Sequence, residues 1–192
     1  MRSEFSRLDV RLARPEDALA VAQVHVRAWQ AAYRNLLPDE HLDGLRAEDR
    51  AARYDFANRD PTLPSTLVAV DGDSICGFAT VARAPQRDTP ECGELCALYV
   101  SPQRWGNGIG VALVKAARSR LLLLGHRRAV LWILLGNARA DRFYRRDGWT
   151  CDGLQRTAIV WGATVEEVRY SRDLERDQEA EDRLRPEASA GN

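Results

Sequence analysis

Lysine is nearly missing from this chain: Lys115 is the one lysine, and the rest of the positive charge is arginine. The bias reads as a GC-rich coding sequence rather than an arginine-specific function. Basic and acidic side chains balance at 28 each, so no broad field exists to recruit nucleic acid or an anionic membrane surface. Histidine is scarce too. His25, His41 and His126 fall in no ligand spacing, and Cys76, Cys92, Cys96 and Cys151 form no CxxC pair. Neither a metal site nor a disulfide framework is expected, and the cysteines read as small buried thiols of a reducing compartment. There is no signal-peptide core and no apolar run of membrane-spanning length, which leads to the expectation of a cytoplasmic protein.

What is present suits one globular domain: 192 residues, 45% of them hydrophobic, are enough for a core of their own. Alternation over residues 9–13 predicts a first strand. A helix follows from Pro15, with Val21, Val24, Ala28, Trp29, Ala32 and Tyr33 at roughly helical spacing. Leu36-Leu37-Pro38-Asp39 breaks it, and a second helix is expected over 38–56. Residues 66–70 and 75–83 read as strands joined by the hairpin signal Asp71-Gly72-Asp73-Ser74. A third strand covers 92–100, and the helix after it is capped at Gly125. The apolar run 129–135 reads as a strand covered on both faces. Asn137 is placed to cap a helix carrying Ala140, Phe143 and Tyr144. Final strands fall at 150–160 and 163–171. One domain is expected over 8–172, with a charged tail over 173–192 that is either disordered or a loosely attached helix. The element order β-α-α-β-β-β-α-β-α-β-β describes an α+β or α/β fold around a mixed sheet.

The chain is organised around 98–110, Leu-Tyr-Val-Ser-Pro-Gln-Arg-Trp-Gly-Asn-Gly-Ile-Gly. A strand ends in a glycine loop that opens directly into a helix. Such a loop can converge several backbone N–H groups, and the helix start adds unpaired donors, which together make a cradle for phosphate. No Walker-type GxxxxGK is present. The glycines are spaced GxGxG rather than GxGxxG, with Val111 at the next position, and no acid follows the next strand, so a nucleotide-binding oxidoreductase is disfavoured.

Leu98-Tyr99-Val100-x-Pro102, Gly106-x-Gly108-Ile109-Gly110, an apolar strand, Asn137, and Phe143-Tyr144 ahead of Gly148-Trp149 together resemble the GNAT superfamily of acyl-CoA N-acyltransferases. The resemblance spans roughly residues 9–174 and is most diagnostic over 95–149. It implies a mixed, mostly antiparallel twisted sheet, splayed between the strands at 92–100 and 129–135 and flanked by helices. It implies acetyl-CoA as co-substrate. The loop from Trp105 through Gly106, Asn107, Gly108, Ile109 and Gly110 would hold the pyrophosphate. The backbones of Leu98, Tyr99 and Val100 would flank the pantetheine arm, Leu98 and Val100 pairing with it, and Asn137 would contact the arm or its sulfur end. Tyr144 matches the tyrosine that gives a proton to the departing thiolate. The family usually has Gln or Arg where Trp105 stands.

The residues themselves agree. Asn137 and Tyr144 stand two helical turns apart and so share a face. A phenol with a pKa of about 10 stays protonated beside a thiol of about 8.5 and can donate to it; the alternative is a half-buried aromatic with a bonded hydroxyl. Glu94 is the candidate base, on the expectation that Glu94, Cys96, Leu98 and Val100 share one face of an extended strand; the alternative is a strand-end partner for an arginine. Trp29 and Tyr33 line either the acceptor pocket or the core. The reaction expected is acetyl transfer to a primary amine of a small molecule or peptide by direct attack, without a metal, nucleic acid or membrane. A catalytically silent acyl-CoA-binding or regulatory module is the alternative. The resemblance also admits a homodimer.

Overall fold

The computed structural model describes residues 8–58, 60–85 and 91–175. Seven strands, β1 (Asp9–Leu12), β2 (Ser65–Asp71), β3 (Ser74–Arg83), β4 (Cys92–Val100), β5 (Arg128–Leu134), β6 (Thr150–Val160) and β7 (Ala163–Asp173), form one sheet in the order β1-β2-β3-β4-β5-β7-β6. Every pairing is antiparallel except β4 with β5. The helices are α1 (Ala18–Ala32), α2 (Asp39–Asp43), α3 (Ala47–Ala51), α4 (Ile109–Leu123) and α5 (Ala138–Arg146). The helix expected over 38–56 is therefore two short ones, split at Gly44 and at Arg46, whose backbone is extended. Glycine gives that turn little helical preference.

Each face of the sheet carries a long helix. The stripe Val21 and Val24 of α1 packs on Val68 and Phe78. On the other face Leu113, Val114, Ala117 and Leu121 of α4 meet Ala79, Val81, Leu95 and Leu131. Fully burying a leucine such as Leu113 contributes roughly 1.5–3 kcal/mol. The folded unit runs past the expected limit at 172: β7 continues to Asp173, and Leu174 is fully buried, its N–H donating to the Arg127 carbonyl at 2.9 Å. The remainder of the expected tail, 176–192, lies outside the described residues.

Two departures from regular pairing make the site. First, β4 and β5 pair only at Cys92–Arg128, Gly93–Ala129 and Glu94–Val130; beyond that they separate. Second, β4 is bulged. Ala97 lies opposite Thr80 and Leu95 opposite Val81, so Cys96 is the extra residue.

Candidate active site

The separation of β4 from β5 opens a cleft of about 490 Å³. Its β4 wall is an unpaired strand edge. Ser101 N–H donates to the Cys76 carbonyl at 2.8 Å. By the alternation of an antiparallel ladder, Leu98 and Val100 then direct their N–H and C=O groups away from β3 and into the cleft. Trp105 Nε1 donates to the Val100 carbonyl at 2.8 Å, and the Arg139 guanidinium lies 3.3 Å from the centre of the Trp105 ring. The indole thus pins the loop to the strand end and holds a cation at the cleft mouth.

Gly106 and Gly108 adopt left-handed φ values of 83° and 77°, which turn the chain into α4. Gly110 serves packing instead, since a Cβ there would stand 3.3 Å from the Phe143 ring. Among the described residues, the N–H groups from Gly106 to Val111 donate to no backbone acceptor, and the α4 start has no side-chain cap. These are the donors an anion would use. Gly106, Gly108, Ile109 and Gly110 line the cleft; the Asn107 side chain, expected in the loop set, is exposed and does not.

Asn137 caps α5 as expected, its Oδ1 accepting from Ala140 N–H at 3.1 Å. Tyr144 lies two turns on, buried, and both residues line the cleft. Burial, then the fields of Tyr99 and Asp147, push the Tyr144 phenol well above its ordinary value, so it keeps its proton. Tyr99 and Tyr33 stand on the cleft's α1 side with hydroxyl oxygens 3.4 Å apart, and burial raises both. Trp29 and Tyr33 belong to both alternatives offered for them: each is almost wholly buried, and each lines the cleft.

The expectation that Glu94 shares a face with Leu98 and Val100 is not met. The bulge at Cys96 reverses the alternation, and Glu94 does not line the cleft. It stays close to the Cys96 thiol, which is reachable from the cleft yet crowded by protein. Desolvation, with Glu94's field second, pushes that thiol up to about 12. The carboxylate that does line the cleft is Glu167 of β7, buried and held by Arg156 Nε at 2.7 Å. The adjacent pair Glu166-Glu167 on a strand was the available signal, since alternation must turn one of the two inward. Among the described residues no three His, Cys, Asp or Glu stand together to hold a metal, and no helix is long and apolar enough to cross a membrane.

His25 of α1 is buried, with Nδ1 2.8 Å from the Tyr54 hydroxyl. Burial, aided by Arg50, holds its imidazole well below the ordinary 6.5. The unfolded chain takes up a proton there below about pH 6.5 and the folded chain does not, so stability is full above that pH and is lost below it. Each pH unit is expected to remove up to about 1.4 kcal/mol. Urea unfolding at about pH 7.5 and about pH 5.5 measures this, and His25→Asn should flatten most of the slope.

The model of the Acetyltransferase (GNAT) family matches residues 27–149. The chain belongs to that family, and it is an acyltransferase. The N-acetyltransferase Rv2669 of Mycobacterium tuberculosis (strain H37Rv) is 30% identical over 138 residues, 71% of this chain and 85% of that protein. The N-acetyltransferase YuaI of Bacillus subtilis (strain 168) is 29% identical over 129 residues, 67% of this chain and 72% of that protein. Among solved structures, yncA of Salmonella typhimurium, described as a complex with acetyl-CoA, superposes with a TM-score of 0.65 at 20% identity, covering 87% of this chain and 94% of that one. An N-acetyltransferase of Staphylococcus aureus Mu50 superposes with a TM-score of 0.67 at 20% identity, covering 88% and 99%. These likenesses establish the splayed-sheet fold.

Proposed function

We propose that the cleft holds acetyl-CoA and that the chain moves its acetyl group to a primary amine by direct attack. The observation that carries this reading is that one cleft has anion-binding donors at one end and a protonated phenol at the other. The amides from Gly106 to Val111, with Arg139 beside them, suit a pyrophosphate. The unpaired groups of Leu98 and of the Val100 N–H suit the amides of a pantetheine arm. Bound acetyl-CoA supplies an activated thioester. As the amine nitrogen bonds to the acetyl carbon and the C–S bond breaks, Tyr144 donates its hydroxyl proton to the leaving thiolate. The amine loses its own proton through water to Glu94, which lies outside the cleft and whose charge acts on the Cys96 thiol in the cleft lining. Glu167, paired with Arg156, keeps that guanidinium at the cleft wall.

The test is thiol release from acetyl-CoA across polyamines, aminoglycosides, amino acids and peptide N-termini. Release that depends on one of these amine classes supports transfer. Binding of acetyl-CoA with no release from any class supports the silent module instead. Glu94→Gln is expected to lower kcat/KM about 100-fold. An undiminished kcat/KM would remove Glu94 from the mechanism.

A further inference from the structure

A second cavity, of about 370 Å³, lies on the α1 face of the sheet. It shares Trp29, Cys96, Ala97, Tyr99 and Val160 with the acyl-CoA cleft, so the two adjoin along these side chains. Away from them it is built of aromatic rings. Trp161, at the tip of the β6–β7 hairpin, stacks on Trp29 with ring centres 4.5 Å apart and planes 20° from parallel, and lies 4.4 Å from His25. Its backbone is left-handed, φ 53°, which side-chain-bearing residues seldom adopt, and the tight turn is what carries the ring inward.

Arg50 reaches across this box. Its guanidinium carbon is 4.8 Å from the Trp161 ring centre and 5.3 Å from that of Tyr54. Arg53 lines the same cavity. Among the described residues, neither guanidinium forms an ion pair with a carboxylate. The cavity's own acid, Asp55, accepts from the backbone N–H groups of Ala57 and Asn58 through Oδ1, and its one negative charge stands against two guanidiniums. His25, held neutral by burial, adds no charge of its own. The cavity is thus apolar along its walls and positive at one end.

We propose that this cavity receives the acceptor, and that it selects amines carrying a carboxylate or comparable oxyanion at the far end of an apolar or aromatic body. The proposal rests on the acetyl-transfer reading above. Arg50 and Arg53 bind the oxyanion, and the planar guanidinium fork suits it better than an ammonium does. Trp161 and Tyr54 flank the body, and the amine passes Trp29 and Tyr99 towards the thioester. Arg50 stands one ring stack from Trp161, and Trp161 one from Trp29. Amine and oxyanion are therefore separated by about the length of a substituted ring, farther than the two groups of an α-amino acid. Polyamines and aminoglycosides would bring further cations against two guanidiniums and are disfavoured.

Matched acceptors test this: 4-(2-aminoethyl)benzoate against phenethylamine, and 6-aminohexanoate against hexylamine. The carboxylate member of each pair is expected to have about tenfold or greater kcat/KM. Arg50→Gln should reduce that ratio to near unity, and Arg50→Lys to an intermediate value, with acetyl-CoA affinity by calorimetry reporting that each variant is folded. Quenching of tryptophan fluorescence by the aminoethylbenzoate reads the same site without turnover. Quenching that Arg50→Gln abolishes, in a protein that acetylates nothing, supports the site and overturns the transfer reading. Acetylation without carboxylate preference, or a preference that Arg50→Gln leaves intact, overturns the site and leaves the transfer reading standing.

Discussion

Tyr144→Phe is expected to lower kcat about 100- to 1,000-fold while acetyl-CoA binds with unchanged affinity. The phenol's ring is part of the core that joins α5 to the sheet, and Phe keeps that ring. What is lost is one proton donor at the cleft surface. Without it the thiolate must leave unprotonated or take a proton from water that the buried site admits poorly. The pH profile carries the same prediction. Burial first, then Tyr99 and Asp147, raise the phenol above its ordinary range. The acid therefore stays protonated through the range up to about pH 10 in which the acceptor amine gives up its proton. Wild-type kcat/KM should rise with pH as the amine deprotonates and show no falling limb below about pH 10. Steady-state kinetics and titration calorimetry on both proteins check this. A falling limb at neutral pH, or a variant that turns over normally, would contradict the role.

Asp147→Ala is expected to destabilise the fold by about 3 kcal/mol. Asp147 follows α5 directly and gathers groups from α4, from β7 and from its own turn. It accepts from Arg118 Nη1 of α4 at 2.5 Å and from Trp149 Nε1 at 3.0 Å, with Arg172 Nη1 of β7 at 3.9 Å. Both arginine side chains are only 15% exposed. Removing the carboxylate takes away a counter-charge that two part-buried guanidiniums share and leaves an indole N–H without its acceptor. The melting temperature should fall roughly 6–12 °C for a chain of this size. Asp147→Asn, which keeps an acceptor for Trp149, should lose about half as much. Because this cluster holds α5 against α4, the alanine variant should also weaken acetyl-CoA binding. A change in stability below about 1 kcal/mol would show that the arginines find other partners.

What the letters revealed and what they hid follows the range of the forces involved. The Asn137 cap and the shared face of Asn137 and Tyr144 depend on helical geometry within two turns, and both are as expected. The left-handed glycines at 106 and 108 are equally local. The phase of β4 is not local. It is set by β3, and the bulge at Cys96 turned a correct strand into a wrong assignment of faces for Glu94. Glu167 was hidden for a related reason: which member of Glu166-Glu167 faces the cleft depends on the pairing of Leu134 with Glu167 across β5 and β7. Arg50 and Trp161 are 111 positions apart in the sequence and meet only because α3 and the β6–β7 hairpin approach over the same face of the sheet. No local pattern announces such a meeting. Leu174, sealed under the Arg127 carbonyl, lay in a stretch whose charge concealed one buried leucine.

Titration calorimetry of the purified chain with acetyl-CoA tests the central claim most directly. The cleft between β4 and β5 predicts saturable binding at one site per chain, weakened about tenfold or more by Gly108→Val, which forces a β-branched side chain into a left-handed position. No detectable heat with the wild-type chain, or binding that Gly108→Val leaves untouched, would contradict it.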